Sequence, residues 1–409
     1  MPTCTARRRL HAPSHGLRVF VGFGLLAFTN ALLPAIVFAA SYLIIPFPAP
    51  IVLLIQAAPA ALVKLSLPRF LSKIPPPLRP LLLAIAWFTA AIVTAATPPN
   101  VPPLVRILMS VLASSSAAAA DVCFMTTIRP PRYHSALAGW AVGSSLGNAA
   151  AAIMPFYLTI HLGRFLRSSV DYVNYLILIF LLAYFVVLPW NLAAPADPTV
   201  LGDKPAVLSV NNLGPPLPRQ PANCTMLQRV RHGFIKPLIG PYILPLALAS
   251  MLQSAMIPGV GRAQKLTPAF TSFTAFKAAH GLALHLGSLV TRTSILFVRI
   301  HKHGFLFAAM VVSVLASLAG AATLTFSDIC TLILPLVTGL AGGAIYINIF
   351  GKAMEHLSTE SLAEFEWSLA CISAAETIGI LIGSLYGSFI EAQLCSQPFA
   401  LGRWCTSPR

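Results

Sequence analysis

The chain has 409 residues, 57% of them hydrophobic and only 9% charged, with a formal net charge of +16. A soluble domain carries about a quarter charged residues, so this composition excludes a water-soluble globular protein and describes an all-α chain that crosses a membrane many times. The Lys and Arg excess is scattered through short links rather than gathered in one block, which argues against nucleic acid as a partner and for basic residues retained on the cytoplasmic side during insertion.

Residues 1–16 form a short basic terminus with Arg7, Arg8 and Arg9. The apolar run from Leu17 to Ile45 that follows imitates a signal peptide, with a basic flank and the small residues Ala39, Ala40 and Ser41. It is longer than the ~7–15-residue core of such a peptide and reads as a retained first span, with Pro34 a tolerated kink. A spanning helix needs about 20 mainly apolar residues. That measure predicts further spans at 49–67, 80–97, 104–127, 135–160, 172–193, 237–257, 272–298, 304–325, 329–351 and 366–390, about eleven in all. The second is Pro-rich and contains Lys64; the eighth contains Lys277, His280, His285 and Arg292.

The links orient the chain. With a cytoplasmic amino terminus, the even-numbered links carry thirteen Lys and Arg residues, from Arg69 to Lys352, and the odd-numbered ones four: Arg164, Arg167, Arg262 and Lys265. This bias supports a cytoplasmic amino terminus and places the carboxyl terminus on the opposite side. The longest link, 194–236, is rich in Pro, Asn, Asp and Gly and divides a first bundle of six helices (17–193) from a second of five (237–390), followed by a tail at 391–409. Transporters built from two helical halves show such a division. The sequon at Asn223 falls in this cytoplasmic linker and would not be glycosylated.

The seven cysteines form no Cys-x-x-Cys pair, and no metal-ligand cluster, Walker sequence or hydrolase triad is present. The expectation is therefore a non-enzyme with no cofactor and no metal. Cys395 and Cys405 either pair, if the tail is lumenal, or remain two free thiols. Five of the chain's eleven acidic residues fall between Ala341 and Gly387. Of these Glu376 lies about ten residues into an apolar run. A charge there costs roughly 2.5–3.5 kcal/mol on insertion scales and marks a functional position. Asp121 follows the small-residue run SSSAAAA and reads either as a substrate or proton site, or as an interfacial carboxylate paired with Arg129 or Arg132. Lys64 has a stem long enough to snorkel. Arg292 is deeper and reads as a partner for Glu376 or for an anionic substrate group. His280 and His285, five apart, do not share a helical face and suit proton handling better than metal binding. The stripe from Gly139 to Asn148 reads as tight helix packing.

Several stretches resemble one family. GGAIYINIF (342–350), containing Tyr346 and Asn348, is similar to the L-G-G-A-x-Y-V-N-x-F of the battenin family, the lysosomal or vacuolar membrane proteins. The segment from Glu366 to Gly383, containing Glu376, resembles its ending in S-D-T-L-G-I. VGFGLLAFTN (21–30), ending in Asn30, resembles V-G-F-W-L-L-G-L-x-N, AAPAALVKLSLP (57–68) resembles I-L-P-T-L-V-I-K-L-x-x-P, and Arg292 falls where the family has Ser-Arg-Ser-Ser. There are departures. The family's Glu on the fourth span is Asp121, its Asp before Thr-Leu-Gly is Glu376, and a carboxylate of the seventh span is Gln253.

The resemblance implies a major-facilitator-type fold, a multi-pass protein of the vacuolar or lysosomal membrane, roles in organelle pH homeostasis and transport of basic amino acids such as arginine, and for animal members export of glycerophosphodiesters. The expected partners are the lipid bilayer, a small basic amino acid or phosphodiester, and protons. Along the expected solute and proton path lie Glu376, Asp121, Arg292, Lys64, Asn348, Tyr346 and Asn30. The competing expectation is a non-transporting regulator of organelle acidification and trafficking, in which Glu376 and Arg292 merely pair and the 194–236 link is the working part.

Overall fold

The computed structural model describes residues 13–42, 49–71, 73–96, 104–128, 133–161, 165–188, 238–266, 268–294, 303–325, 327–357, 362–396 and 402–406. The linker 194–236 and its sequon lie outside them. Eleven helical spans follow in order: α1 Pro13–Tyr42, α2 Ala49–Ser66, α3 Leu78–Ala96, α4 Leu104–Met125, α5 Tyr133–His161, α6 Phe165–Leu182, α7 Leu244–Ser254, α8 Phe273–Thr293, α9 His303–Thr323, α10 Asp328–Leu357 and α11 Leu362–Cys395. A single turn, Pro68–Leu71, follows α2. π-Helical turns extend α6 over Ala183–Val187 and flank α7 at Ile239–Ile243 and Ala255–Val260. Each predicted span has its helix. Pro34, Pro59 and Pro335 sit inside continuous helices, as neighbouring helices in a membrane permit.

Among the described residues, α1, α4, α5, α9, α10 and α11 are long and apolar enough to cross a bilayer, and α2, α3, α6 and α7 are shorter apolar helices. α8 falls short because Lys277, His280, His285 and Arg292 interrupt it. The outward faces carry large apolar side chains, such as Leu82 and Ile85 on α3 and Val312 and Leu315 on α9. Contiguous exposed apolar surface of this kind suits lipid and not water.

The packing repeats. In the first half α1 lies on α5 and α2 on α4; in the second α7 lies on α11 and α8 on α10. The halves meet where α2 packs on α11 and α5 on α8. The first half is filled by aromatic rings, with Phe180 edge-on to Trp87 at 4.9 Å and to Phe124 at 5.6 Å between centroids. At its rim Arg18 donates to the last carbonyls of the α6 extension, Val187 at 2.6 Å and Val186 at 2.7 Å, groups that a helix end leaves without partners.

The glycine stripe of α5 packs as the sequence predicts. A Cβ on Gly143 would meet the Gly24 carbonyl, and one on Gly139 the Phe20 carbonyl, so α1 and α5 touch backbone to backbone. Gly339 of α10 makes the corresponding approach to the Leu284 carbonyl of α8. Lipid tails are as apolar as Leu, so helices in a bilayer associate through close packing rather than through exclusion of water. Gly143→Ala and Gly339→Ala should each destabilise the protein by about 1–3 kcal/mol, the usual range for overpacking. Gly304→Ala, with nothing within 4 Å of the added methyl, should be silent. Thermal unfolding of the purified variants in one detergent measures the difference.

Candidate functional site

Two polar assemblies occupy the seam between the halves. The first joins α1, α2 and α4. Lys64 is 4% exposed and its Nζ lies 2.9 Å from Asp121 Oδ2. The other carboxylate oxygen, Asp121 Oδ1, accepts from Asn30 Nδ2 at 2.8 Å, and the same amide also reaches the Ala117 carbonyl at 3.3 Å. The run SSSAAAA explains the fit, because its small side chains leave room for a carboxylate between helices. Lys64 is thus turned to Asp121 within the helix contact rather than toward a bilayer surface, and Arg129 and Arg132 lie outside the described residues. Lys64 Nζ also donates across the seam to the Ser373 carbonyl of α11 at 3.4 Å, one helical turn before Glu376.

The second assembly is a cavity of about 360 Å³ bounded by α2, α5, α7, α8 and α11. Glu376, Arg292, Lys277, His285, Gln253 and Asn148 line it, with Ser145, Ser250, Ser254 and Ser288 and the apolar Leu53, Leu284 and Ile380. The Arg292 guanidinium donates to Ser144 Oγ at 2.9 Å and sits 4.0 Å above the Tyr346 ring. A cation over an aromatic face is held by the ring quadrupole while its remaining donors stay available. Glu376 makes no hydrogen bond or ion pair among the described residues; the charges of Lys64, Arg292 and Asp121 act on it from a distance. It is a carboxylate facing open space, with a cation on each side of the seam.

The expected residues divide accordingly. Glu376 and Arg292 share the cavity, with Tyr346 beneath the latter. Asn30, Lys64 and Asp121 form the neighbouring cluster, bonded to the cavity wall at the Ser373 carbonyl of α11. Asn348 is buried, and its Nδ2 donates to Ala344 of its own helix at 2.7 Å rather than lining the cavity. Lys277, His285, Gln253 and Asn148 join the cavity although the sequence does not set them on the expected path; it marks His285 for proton handling and Gln253 as the place of a missing carboxylate. The polarity of α8 was the available signal. Lys277, Leu284, His285, Ser288 and Arg292 all line the cavity, so this polar face of α8 is turned to the cavity rather than to lipid.

Polar contacts also cross the seam near one end. Where the basic links lie, Tyr133 Oη at the start of α5 donates to Glu355 Oε1 near the end of α10 at 2.7 Å, and Arg69 lies over the Trp367 ring at 5.2 Å. With the Lys64–Ser373 bond they form a layer on the side of the cavity nearest those links.

Eleven helices in two halves, with a charged cavity at their seam, define a polytopic membrane protein of transporter-like fold. The model of the CLN3 protein family matches residues 214–397. The chain is 29% identical to Protein BTN1 of Yarrowia lipolytica, over 95% of this chain and 96% of that one. It is 26% identical to Protein btn-1 of Neurospora crassa, over 95% and 90%. These similarities bear out the battenin resemblance carried by the sequence motifs. The fold is similar to the crystal structure of a bacterial homologue of the human lysosomal transporter Spinster, in an inward-facing and unoccupied conformation, with a TM-score of 0.52, 15% identity and coverage of 92% of this chain and 82% of that one. The expected major-facilitator-type fold stands on that likeness.

Removing one member of a buried ion pair strands the other, at a cost of about 3–5 kcal/mol, while replacing both is far milder. Asp121→Leu strands the buried Lys64 and should lower stability by about 3 kcal/mol, Lys64→Met, which leaves a carboxylate 28% exposed, should cost less, and the double variant should recover most of the loss. Denaturation midpoints of the four proteins test the pairing.

Proposed function

We propose that the chain is a transporter-like protein of the vacuolar or lysosomal membrane that moves a small charged solute through the cavity between its two halves. The observation that carries this reading is that Glu376 and Arg292, from different helices, face one open cavity instead of neutralising each other. A purely structural pair would be in contact and hydrogen-bonded, because close, hydrogen-bonded geometry is what offsets the desolvation of two charges in an apolar medium. The scaffold reading calls for the two to pair directly, and its working part, the 194–236 link, lies outside the described residues.

The charge balance bears on the solute. The cavity lining carries one carboxylate, Glu376, together with a guanidinium, an ammonium and an imidazole, from Arg292, Lys277 and His285. This set suits a solute with an anionic group, such as a phosphodiester, better than arginine, which would bring a further cation against two existing ones. Glu376 is then the position for a proton or for a solute's amino or hydroxyl groups. Gln253 stands in the cavity wall where the family carries a carboxylate, which leaves Glu376 as the cavity's acid for any proton coupling and hence for a role in organelle pH. The bundles at 17–193 and 237–390, the cytoplasmic linker 194–236 and the cytoplasmic amino terminus belong to the same proposal, and rest on the charge bias of the links.

Reconstituted vesicles loaded with glycerophosphodiester or arginine, with and without a pH gradient, test the reading. Arg292→Ala should reduce phosphodiester flux at least tenfold. Glu376→Gln should abolish the response to the gradient while leaving downhill exchange measurable. Unchanged flux in both variants would overturn the assignment of the cavity.

A further inference from the structure

The carboxyl-terminal tail returns over the end of the second half and is built into it. Cys395, the last residue of α11, is disulfide-bonded to Cys405, ten positions on. Between them Arg403 and Trp404 are 1% and 2% exposed. Arg403 pairs in a short antiparallel bridge with Lys265 of the α7–α8 link, flanked by Leu266 N–H to Gly402 O at 2.6 Å and Trp404 N–H to Gln264 O at 3.2 Å. Gly402 takes φ +94° to make this turn, a conformation that glycine adopts without strain. The Arg403 guanidinium donates to the Leu394 carbonyl at the end of α11 and to the Ala322 carbonyl at the end of α9, the latter at 3.2 Å. Gln264 adds a bond to the Ser317 carbonyl of α9 at 3.3 Å, and Arg262 pairs with Glu391 of α11 at 3.4 Å. The Trp404 ring stacks on Phe276 of α8 at 5.5 Å and 23°. Phe276 immediately precedes Lys277 of the cavity wall and contacts the His280 ring at 5.6 Å.

We propose that this tail is a disulfide-locked strap that binds the ends of α7, α8, α9 and α11 into one unit and fixes the α8 wall of the cavity, so that the mobility of that wall depends on the redox state of the Cys395–Cys405 bond. A helix end rich in orphan carbonyls is satisfied by one buried guanidinium, and the cross-link confines that guanidinium to its seat. Closing a short loop restricts the released tail, so the bond acts mainly by keeping the strap from peeling away. Such bonds form and persist in oxidising compartments, which sets this end of the protein on the lumenal side. The excess of Lys and Arg in the links at the opposite end leads independently to the same orientation. Cleavage by an added dithiol gives two free thiols, Cys395 and Cys405 each gaining one electron and one proton as the dithiol closes to its own disulfide.

Hydrogen exchange of the full-length protein in lipid nanodiscs, prepared without reductant, tests the strap without requiring transport. Alkylation and mass spectrometry should find Cys395 and Cys405 blocked until dithiothreitol is added. On reduction, in Cys405→Ala and in Trp404→Ala, amides of 261–266 and of the first two turns of α8 should exchange at least tenfold faster, the signature of local opening, with α1 and α5 unchanged. Three results would each overturn the proposal: alkylation of Cys395 in the unreduced protein, α8 exchange unaffected by both substitutions, or equal acceleration in α1.

Discussion

A charged group inside a bilayer persists only where water or another polar group replaces the hydration it has lost, because the cost of leaving it bare exceeds what packing can return. The seam of this protein is arranged around that constraint. Lys64 is held by Asp121, Asp121 by Asn30, and the spare capacity of the ammonium reaches an α11 carbonyl. Arg292 rests on a tyrosine face and a serine hydroxyl. Glu376 has neither kind of support and faces the cavity instead. Two solutions to one electrostatic problem thus separate a closed hydrogen-bonded cluster from an open cavity a helical turn away.

The helix packing makes room for both. Where the halves must be solid, glycine brings backbone against backbone, as at Gly143 on α1 and Gly339 on α8. Where they meet each other, α2 against α11 and α5 against α8, serine, asparagine and glutamine line the gap. The polar contacts near the basic links, Tyr133–Glu355 and Arg69–Trp367, are few and hydrogen-bonded or cationic rather than interdigitated.

The departures from the family motifs fall on this seam. Asp121 is one methylene shorter than the family's glutamate, and the triad with Asn30 and Lys64 is closed at hydrogen-bond distance. Gln253 sits in the cavity wall, where its Nε2 approaches the Thr338 carbonyl of α10 at 3.5 Å. An amide can donate to that carbonyl; an ionised carboxylate can only accept. The change removes a charge from the cavity and turns the side chain toward the helix behind it.

The sequence by itself determined the membrane class, the eleven spans and the residues too polar to face lipid, because hydropathy over about 20 residues and the cost of a bare charge are local properties. It also placed the glycine stripe of α5 in a packed contact, since small residues at helical spacing leave few other uses. What it could not assign was who meets whom. Lys64 and Asp121 are 57 positions apart in sequence and read separately as a snorkelling cation and an interfacial acid; only the crossing of α2 and α4 made them a pair. Lys277, His285 and Gln253 read from the sequence as separate polar positions until α7 and α8 turned them toward one space with Glu376 of α11. Cys395 and Cys405 had equal claims to be free or joined until the tail folded back over α9 and α11. Partnership depends on the rotation of each helix about its axis, which is set by the packing of all its neighbours at once and leaves no trace within any single stretch of sequence.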